Sequence, residues 1–379
     1  MRKYIFDEIA INSTEKKKPE PSDKATYIGL EHLDSGSLQV KRFGAEVAPV
    51  GEKLVMKKGD VLFGKRRAYQ KKVAVAPFDG IFSAHGMVLR PKTDVIDKDF
   101  FPLFIASDYF LNAAIKISVG SLSPTINWND LKLLEFSLPP LEEQRKLAKV
   151  LWAAIELKEA YQKLLAQCDE MASSRFIEMF GDIVQNDKNW PVRQFNSIAS
   201  SRLGKMLDAK KQTGQHRFPY LANCNVQWFH FDISDLKEMD FDEADQHEFE
   251  LRDGDLLVCE GGEIGRCAVW HDEIQPCYFQ KAIHRVRCNL DVVLPDYLTW
   301  WFKLNCENNA FQNIAGAKAT IAHLPGEKLK KLQVTVPPIG LQRDFVSFLN
   351  HLDKSKVELQ RSIASLESLM KTLSQDIFT

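Results

Sequence analysis

The stretch LPPLEEQRKLAKVL at residues 138–151 returns, degenerate but in the same order, as VPPIGLQRDFVSFL at residues 336–349. In SLPP and TVPP the prolines close a strand, since neither ring can donate a ladder hydrogen bond, and they fix a φ suited to a helix start. Glu142 and Glu143 then put negative charge in the first turn, where the helix dipole favours it; the second copy has Gly340 and Leu341 there. Apolar residues next step by three and four: Leu147, Val150, Ala154, Leu157, Tyr161, Leu164, Cys168 and Met171 in the first copy. The second copy continues with Phe345, Leu349, Leu352, Leu359, Ile363, Leu366, Met370, Leu373 and Ile377, interrupted by Lys356 in the same register. That spacing predicts two long helices and a coiled-coil seam, with Leu147, Val150, Leu157 and Leu164 on one helix and Leu352, Leu359, Ile363, Leu366 and Leu373 on the other. At 1.5 Å per residue each helix would span roughly 50 to 60 Å. An apolar stripe of that length needs cover. The other copy is the nearest candidate, and antiparallel pairing would place the intervening blocks at opposite ends of a stiff spacer; docking on the blocks themselves or on other chains is the competing arrangement.

The duplication extends beyond the helices. KKGDVLFGK at 57–65 matches RDGDLLVCE at 252–260, with Gly59-Asp60 falling on Gly254-Asp255; DFFPLFIAS at 99–107 matches DYLTWWFKL at 296–304; Gly120 pairs with Gly316. Short runs such as VLFG, VAVAPF, GMVLRP, LLVCE, AVWH and IHRVR, bounded by Gly, Pro and Asp, predict short strands and turns. Residues 99–116 and 296–312 carry apolar residues at helical spacing. The expected class is therefore α+β: two tandem blocks of short strands plus helices at 1–140 and 182–338, a central spacer helix at 141–181 and a second at 339–379, forming a pseudo-twofold internal repeat.

With 45% hydrophobic and 27% charged residues, the chain falls among soluble globular proteins. The first residues have too short an apolar run for a signal peptide, and nowhere do about 18 apolar residues follow one another, so a cytoplasmic protein without membrane contact is expected. Seven cysteines contain no C-x-x-C pair, which points to buried free thiols rather than a metal site or a disulfide framework. No phosphate-binding loop, zinc-protease or nucleophile-elbow motif occurs, nor does the Asn/Asp-Pro-Pro-aromatic motif of an amino-group DNA methyltransferase, so no enzyme is expected. A net charge of −1 excludes a chain that coats nucleic acid over its whole surface and leaves only local sites.

Two domains held apart by a rod suggest a caliper, and DNA is the polymer that most often needs measuring. The loop FGKRRAYQKK offers Lys65, Arg66, Arg67, Lys71 and Lys72 around Tyr69 and Gln70, mixing phosphate-neutralising cations with side chains that can contact base edges. Nearby candidates are Ser83 and His85, with Ser121 and Ser123 in the loop before the first long helix. In the second block the matching turn is CEGGEIGRCAVW, where Gly262 lets backbone approach a ligand and Arg266 supplies charge; Gln280, Lys281, Lys318 and His323 join it.

The Gly-Asp turns, LPPLEEQ at 138, its twin VPPIGLQ at 336 and SRFIEMFGD at 174 resemble the specificity subunits of type I restriction-modification systems. The resemblance covers nearly the whole chain. It implies two target-recognition domains that each read half of a split, asymmetric DNA sequence, and two antiparallel helices that set the unread gap. It also implies two methyltransferase (modification) subunits as partners, with restriction/translocase subunits reached through them. S-adenosylmethionine, ATP and magnesium would belong to those partners, and this chain would carry no cofactor. The alternative function is a coiled-coil scaffold with protein-binding domains and no DNA role.

Overall fold

A computed structural model describes residues 1–47, 49–208, 212–311 and 323–378, with residues 376–378 described by backbone alone. Gly316 and the candidate Lys318 lie outside the described residues. The chain forms two compact units, Met1–Gln162 with Gln360–Thr379, and Lys163–Leu359.

The first unit contains β1 (Arg2–Ile5), β2 (Ala10–Ser13), β3 (Lys16–Lys17), β4 (Tyr27–Ile28), β5 (Lys53–Met56), β6 (Val61–Phe63), β7 (Val73–Val75), β8 (Gly80–Phe82), β9 (Met87–Pro91) and β10 (Glu135–Leu138). Its helices include α1 (Phe100–Ala106), α2 (Asp108–Lys116) and the start of α3 (Leu141–Phe180). The main sheet has the order β2–β9–β6–β7 and is antiparallel; a second sheet, β3–β5–β8–β4, and the pair β1–β10 complete the unit. Alternation along the strands sends Val61 and Phe63 into a core with Phe100, Phe104 and Phe110, while Leu62 and Val88 face Ile28, Met56 and Phe82 on the other side.

The second unit repeats this plan with β11 (Val192–Gln194), β12 (Ala199–Leu203), β13 (Arg217–Leu221), β14 (Lys237–Asp240), β15 (Leu256–Cys259), β16 (Cys267–Val269), β17 (Tyr278–Phe279), β18 (Ile283–Cys288) and β19 (Gln333–Thr335). Here β12–β18–β15–β16 corresponds to the main sheet, β14–β13–β17 to the second sheet and β11–β19 to β1–β10. The helices α4 (Glu243–Phe249), α5 (Pro295–Glu307) and the start of α6 (Ile339–Phe378) pack around them. The expected α+β class, the strand runs and the helical segments after residues 99 and 296 are all present.

Single hydrogen bonds repeat as well. Gly59 and Gly254 sit at φ +90° and +83°, the left-handed turn conformation that a side chain resists. The aspartates that follow are buried and accept the Lys57 and Arg252 amides at 2.8 and 2.9 Å. Each also receives an arginine fork, Arg90 on Asp60 at 2.8 and 2.9 Å and Arg287 on Asp255 at 2.7 and 3.0 Å. At the helix starts, buried Gln144 donates to the Val95 and Pro139 carbonyls and accepts from the Asp97 amide; Gln342 does the same with Val292, Pro337 and Leu294.

Within each unit α3 and α6 run antiparallel. In the first, Lys158 pairs with Glu367 at 2.8 Å, and Met370 and Leu373 pack on the core that holds Ala148 and Leu151. In the second, Lys356 pairs with Asp169 at 2.7 Å, and the Phe345 ring meets Phe176 and Phe180 at 5.3 and 5.5 Å. Of the residues expected to form the seam on α6, Leu352 is buried and Leu359, Ile363, Leu366 and Leu373 are half-buried.

The seam expected on α3 needs correction. Leu147 is half-buried, but Val150, Leu157 and Leu164 are 49%, 43% and 45% exposed. Ala154 and Cys168 of the expected steps are buried, but elsewhere the inward stripe falls one residue later, on Ala148, Leu151, Lys158 and Ala172, and ends on Phe176. Ranking positions by aliphatic size hides this stripe, because it uses alanines for close approach and a lysine. Lys158 lays its methylene stem along the pair and keeps its ammonium on Glu367. The cysteines are free thiols, four of them buried, whereas Cys224 is exposed, contrary to the expectation of burial.

Candidate nucleic-acid interface

The main sheet of each unit ends in three loops stitched together by main-chain hydrogen bonds. In the first unit the turn after β6 meets the loop before α3: the Ile126 amide donates to the Lys65 carbonyl at 3.0 Å and the Ala68 amide to the Pro124 carbonyl at 3.3 Å. Arg66 and Thr125 form a bridge, and the Arg66 amide donates to the His85 carbonyl at 3.3 Å, which brings in the turn before β9. In the second unit Leu324 donates to Glu260 at 2.6 Å, Gly261 bridges His323, and Glu260 donates to Ala282 at 2.8 Å. These bonds occupy repeat-equivalent positions, so one frame presents two different sets of side chains.

In the first unit Arg66, Arg67, Tyr69, His85 and Ser121 are exposed, with Gln70 and Ser123 half-buried beside them. Arg67 and Lys71 adopt left-handed φ values of 55° and 49° around a single 3-10 turn, Ala68–Gln70, which projects Tyr69 outward at 57% exposure. Arg66 and Arg67 have no ion-pair partner among the described residues, which leaves their forks available to phosphate or guanine. Lys65 is half-buried; burial and then the charge of Lys16 lower its pKa.

Other candidates are tied into the fold. Lys72 donates to the Leu30 carbonyl at 2.6 Å, Lys71 pairs with Asp108, and Ser83 is buried, where its Oγ accepts the His85 amide at 3.3 Å. In the second unit Gly262, Lys281 and His323 are exposed and Gln280 is half-buried, its amide donating to Leu221. The guanidinium of Arg266 donates to the Asn223 carbonyl and side-chain oxygens, both at 3.0 Å, and lies 3.8 Å from Glu263. Arg266 therefore braces the glycine turn, while Gly262 at φ +76° keeps the backbone open.

Sequence reasoning passed over the Asp60–Arg90 and Asp255–Arg287 forks that anchor both frames. The repeated arginine some thirty residues after each Gly-Asp turn was the available signal. Among the described residues no group of three or more His, Cys, Asp or Glu could hold a metal ion, and no helix is long and apolar enough to cross a membrane.

The duplicated frame marks a protein built from two copies of one α+β unit, and comparison with known proteins gives its family. The type I restriction modification DNA specificity domain matches residues 11–167 and again 187–367, and the chain belongs to that family. Among its relatives, the EcoKI specificity subunit of Escherichia coli K12 is 22% identical over 317 residues, covering 79% of this chain and 68% of that protein. The EcoDI specificity subunit of Escherichia coli is 25% identical over 146 residues, or 38% of this chain and 32% of its own length. Two solved structures share the fold. One, described as the structural basis of complex assembly and conformational transition of the type I R-M system, has a TM-score of 0.62 at 17% identity and covers 100% of this chain and 97% of that one. The other, the type I restriction-modification S subunit from M. genitalium, has a TM-score of 0.61 at 14% identity, with 100% and 96% covered.

Proposed function

We propose that this protein is the non-catalytic DNA-recognition subunit of a type I restriction-modification complex, reading a split and asymmetric target with one half-site for each unit. The observation that supports this is the repeated loop frame: the same main-chain bonds hold Arg66, Arg67 and Tyr69 in one unit and Gly262, Lys281 and His323 in the other. Equal frames with unequal side chains suit two half-sites of different sequence. The long helices α3 and α6 set the unread gap between them. Two methyltransferase subunits supply S-adenosylmethionine chemistry, and restriction/translocase subunits join through them with ATP and magnesium.

The test is to reconstitute the chain with its methyltransferase subunit and map modified adenines on genomic DNA. The expected marks lie in two short half-sites at one constant gap; marks in a single continuous sequence overturn the reading. Inserting a helical turn into both α3 and α6 should lengthen the gap and leave both half-sites unchanged.

A further inference from the structure

Two arginines face each other across β12 and β18, where Arg202 is the direct partner of Arg285. The register-equivalent pair across β2 and β9 is Ser13 with Val88, both buried. Like charges directly opposite each other weaken a strand pair, so the second unit carries a charge cluster that the shared fold does not call for. Arg287 follows on the same face, opposite Ser200. Its fork is taken by Asp255, and Arg202 is held by Glu248. Arg285 has no carboxylate at ion-pair distance among the described residues. It donates to the Glu248 and Glu250 carbonyls at 2.8 and 3.1 Å and lies 5.4 Å over the Phe279 ring. Burial first, and then the nearby charge of Arg287, press its pKa down. Beside it, Ser200, Ser201 and His247, together with the Arg202–Glu248 ion pair and Arg287, line an open groove of about 640 Å³, and neither serine hydroxyl has a hydrogen bond among the described residues.

We propose that this groove seats a phosphate group, and that in the assembled complex the group is a phosphodiester of the DNA read by the second unit. Arg285 supplies charge without a matching carboxylate, and the serines supply idle donors. The first unit places its free cations on the turn at 65–67, whereas the equivalent turn here carries Glu260 and Glu263 and an Arg266 already committed to Asn223. Beside that turn the frame keeps Lys281 exposed, and Arg285 in the groove adds a second cation without a carboxylate. The groove begins at the correct end of the sheet: past Arg202, the Gly204 amide donates to Ile283 and the Lys281 amide to Lys205, at the edge of the loop frame.

The assignment rests on the DNA-reading function and is tested in the complex with methyltransferase subunits, by measuring affinity for target and unrelated duplexes across a salt series. Ser200→Glu breaks no internal hydrogen bond and puts a negative charge in the groove; Arg285→Gln removes the cation. Both variants should weaken target and unrelated DNA alike, by about 3- to 10-fold at low salt, and lower the salt slope by about one. Unchanged slopes in both variants, with thermal melting of Ser200→Glu showing a folded chain, overturn the phosphate seat while the DNA-reading function stands. A wild-type complex with no salt-dependent DNA binding overturns both. Inorganic phosphate is the third arm: if it raises the melting midpoint of the unaltered chain but not of Ser200→Glu, and the DNA slopes do not move, the site takes free phosphate and the phosphodiester assignment fails.

Discussion

Asp60 and Asp255 do the same work in the two units, each closing a left-handed glycine turn and neutralising an arginine from a neighbouring strand. The Asp255 side chain is 3% exposed, so Asp255→Ala strands the Arg252 amide and leaves Arg287 without its carboxylate. The expected cost is about 2–3 kcal/mol in a urea titration, because an unpaired buried donor loses far more than the bond was worth. The Gly-Asp pairs were readable as turns from sequence; their arginines recur at a similar distance in both repeats, but strand pairing rather than local spacing is what brings them to the aspartates. His284 offers a pH test. It is buried, its Nε2 donates to the Leu324 carbonyl at 3.1 Å, and burial lowers its pKa below 6.5. The unfolded chain therefore binds a proton more readily, so stability is fullest above pH 6.5 and declines as pH falls toward the folded value. His284→Gln should flatten that decline below pH 6.5, measured as the urea midpoint at each pH.

At the scale of elements, the long helices were the most legible part of the chain, because Pro-Pro starts and a sustained apolar period leave little else to build. Their inward faces were legible on α6 and misread on α3, where alanines and Lys158 outrank larger aliphatics. This difference has a direct check. Leu151 is 4% exposed in the first core, so Leu151→Ala should cost about 2–4 kcal/mol by chemical denaturation. Its neighbour Val150 is 49% exposed, and Val150→Ala should cost less than about 0.5 kcal/mol. Equal losses would restore the register expected from sequence. The paired glutamines Gln144 and Gln342 show what a matched motif can mean: both are fully enclosed and knot the strand, the Pro-Pro corner and the helix start into one piece. The QR match was visible in sequence; its structural purpose was not.

For the whole molecule, the duplicated frame predicts that the units read independently. Replacing Arg66 and Arg67 together by Ala should weaken or relax recognition of one half-site, by about 1–3 kcal/mol per lost bidentate contact, and leave the other half-site unaltered when methylated positions are sequenced. Loss of both half-sites together would argue against separate readers. The candidate loops were found from charge and repeat position, and the structure brings most of them together at the sheet ends. It also withdraws Lys72 and Arg266 into internal bonds, which no composition argument could foresee because their acceptors, Leu30 and Asn223, lie some forty residues away in sequence.

The division of the chain also bears on how it is made. The second unit is one continuous segment, Lys163–Leu359, whereas the first needs Gln360–Thr379 to cover residues that were translated long before. On the ribosome, then, the half that starts first is finished last: until the closing helix emerges, the first core lacks the cover that Met370 and Leu373 give it.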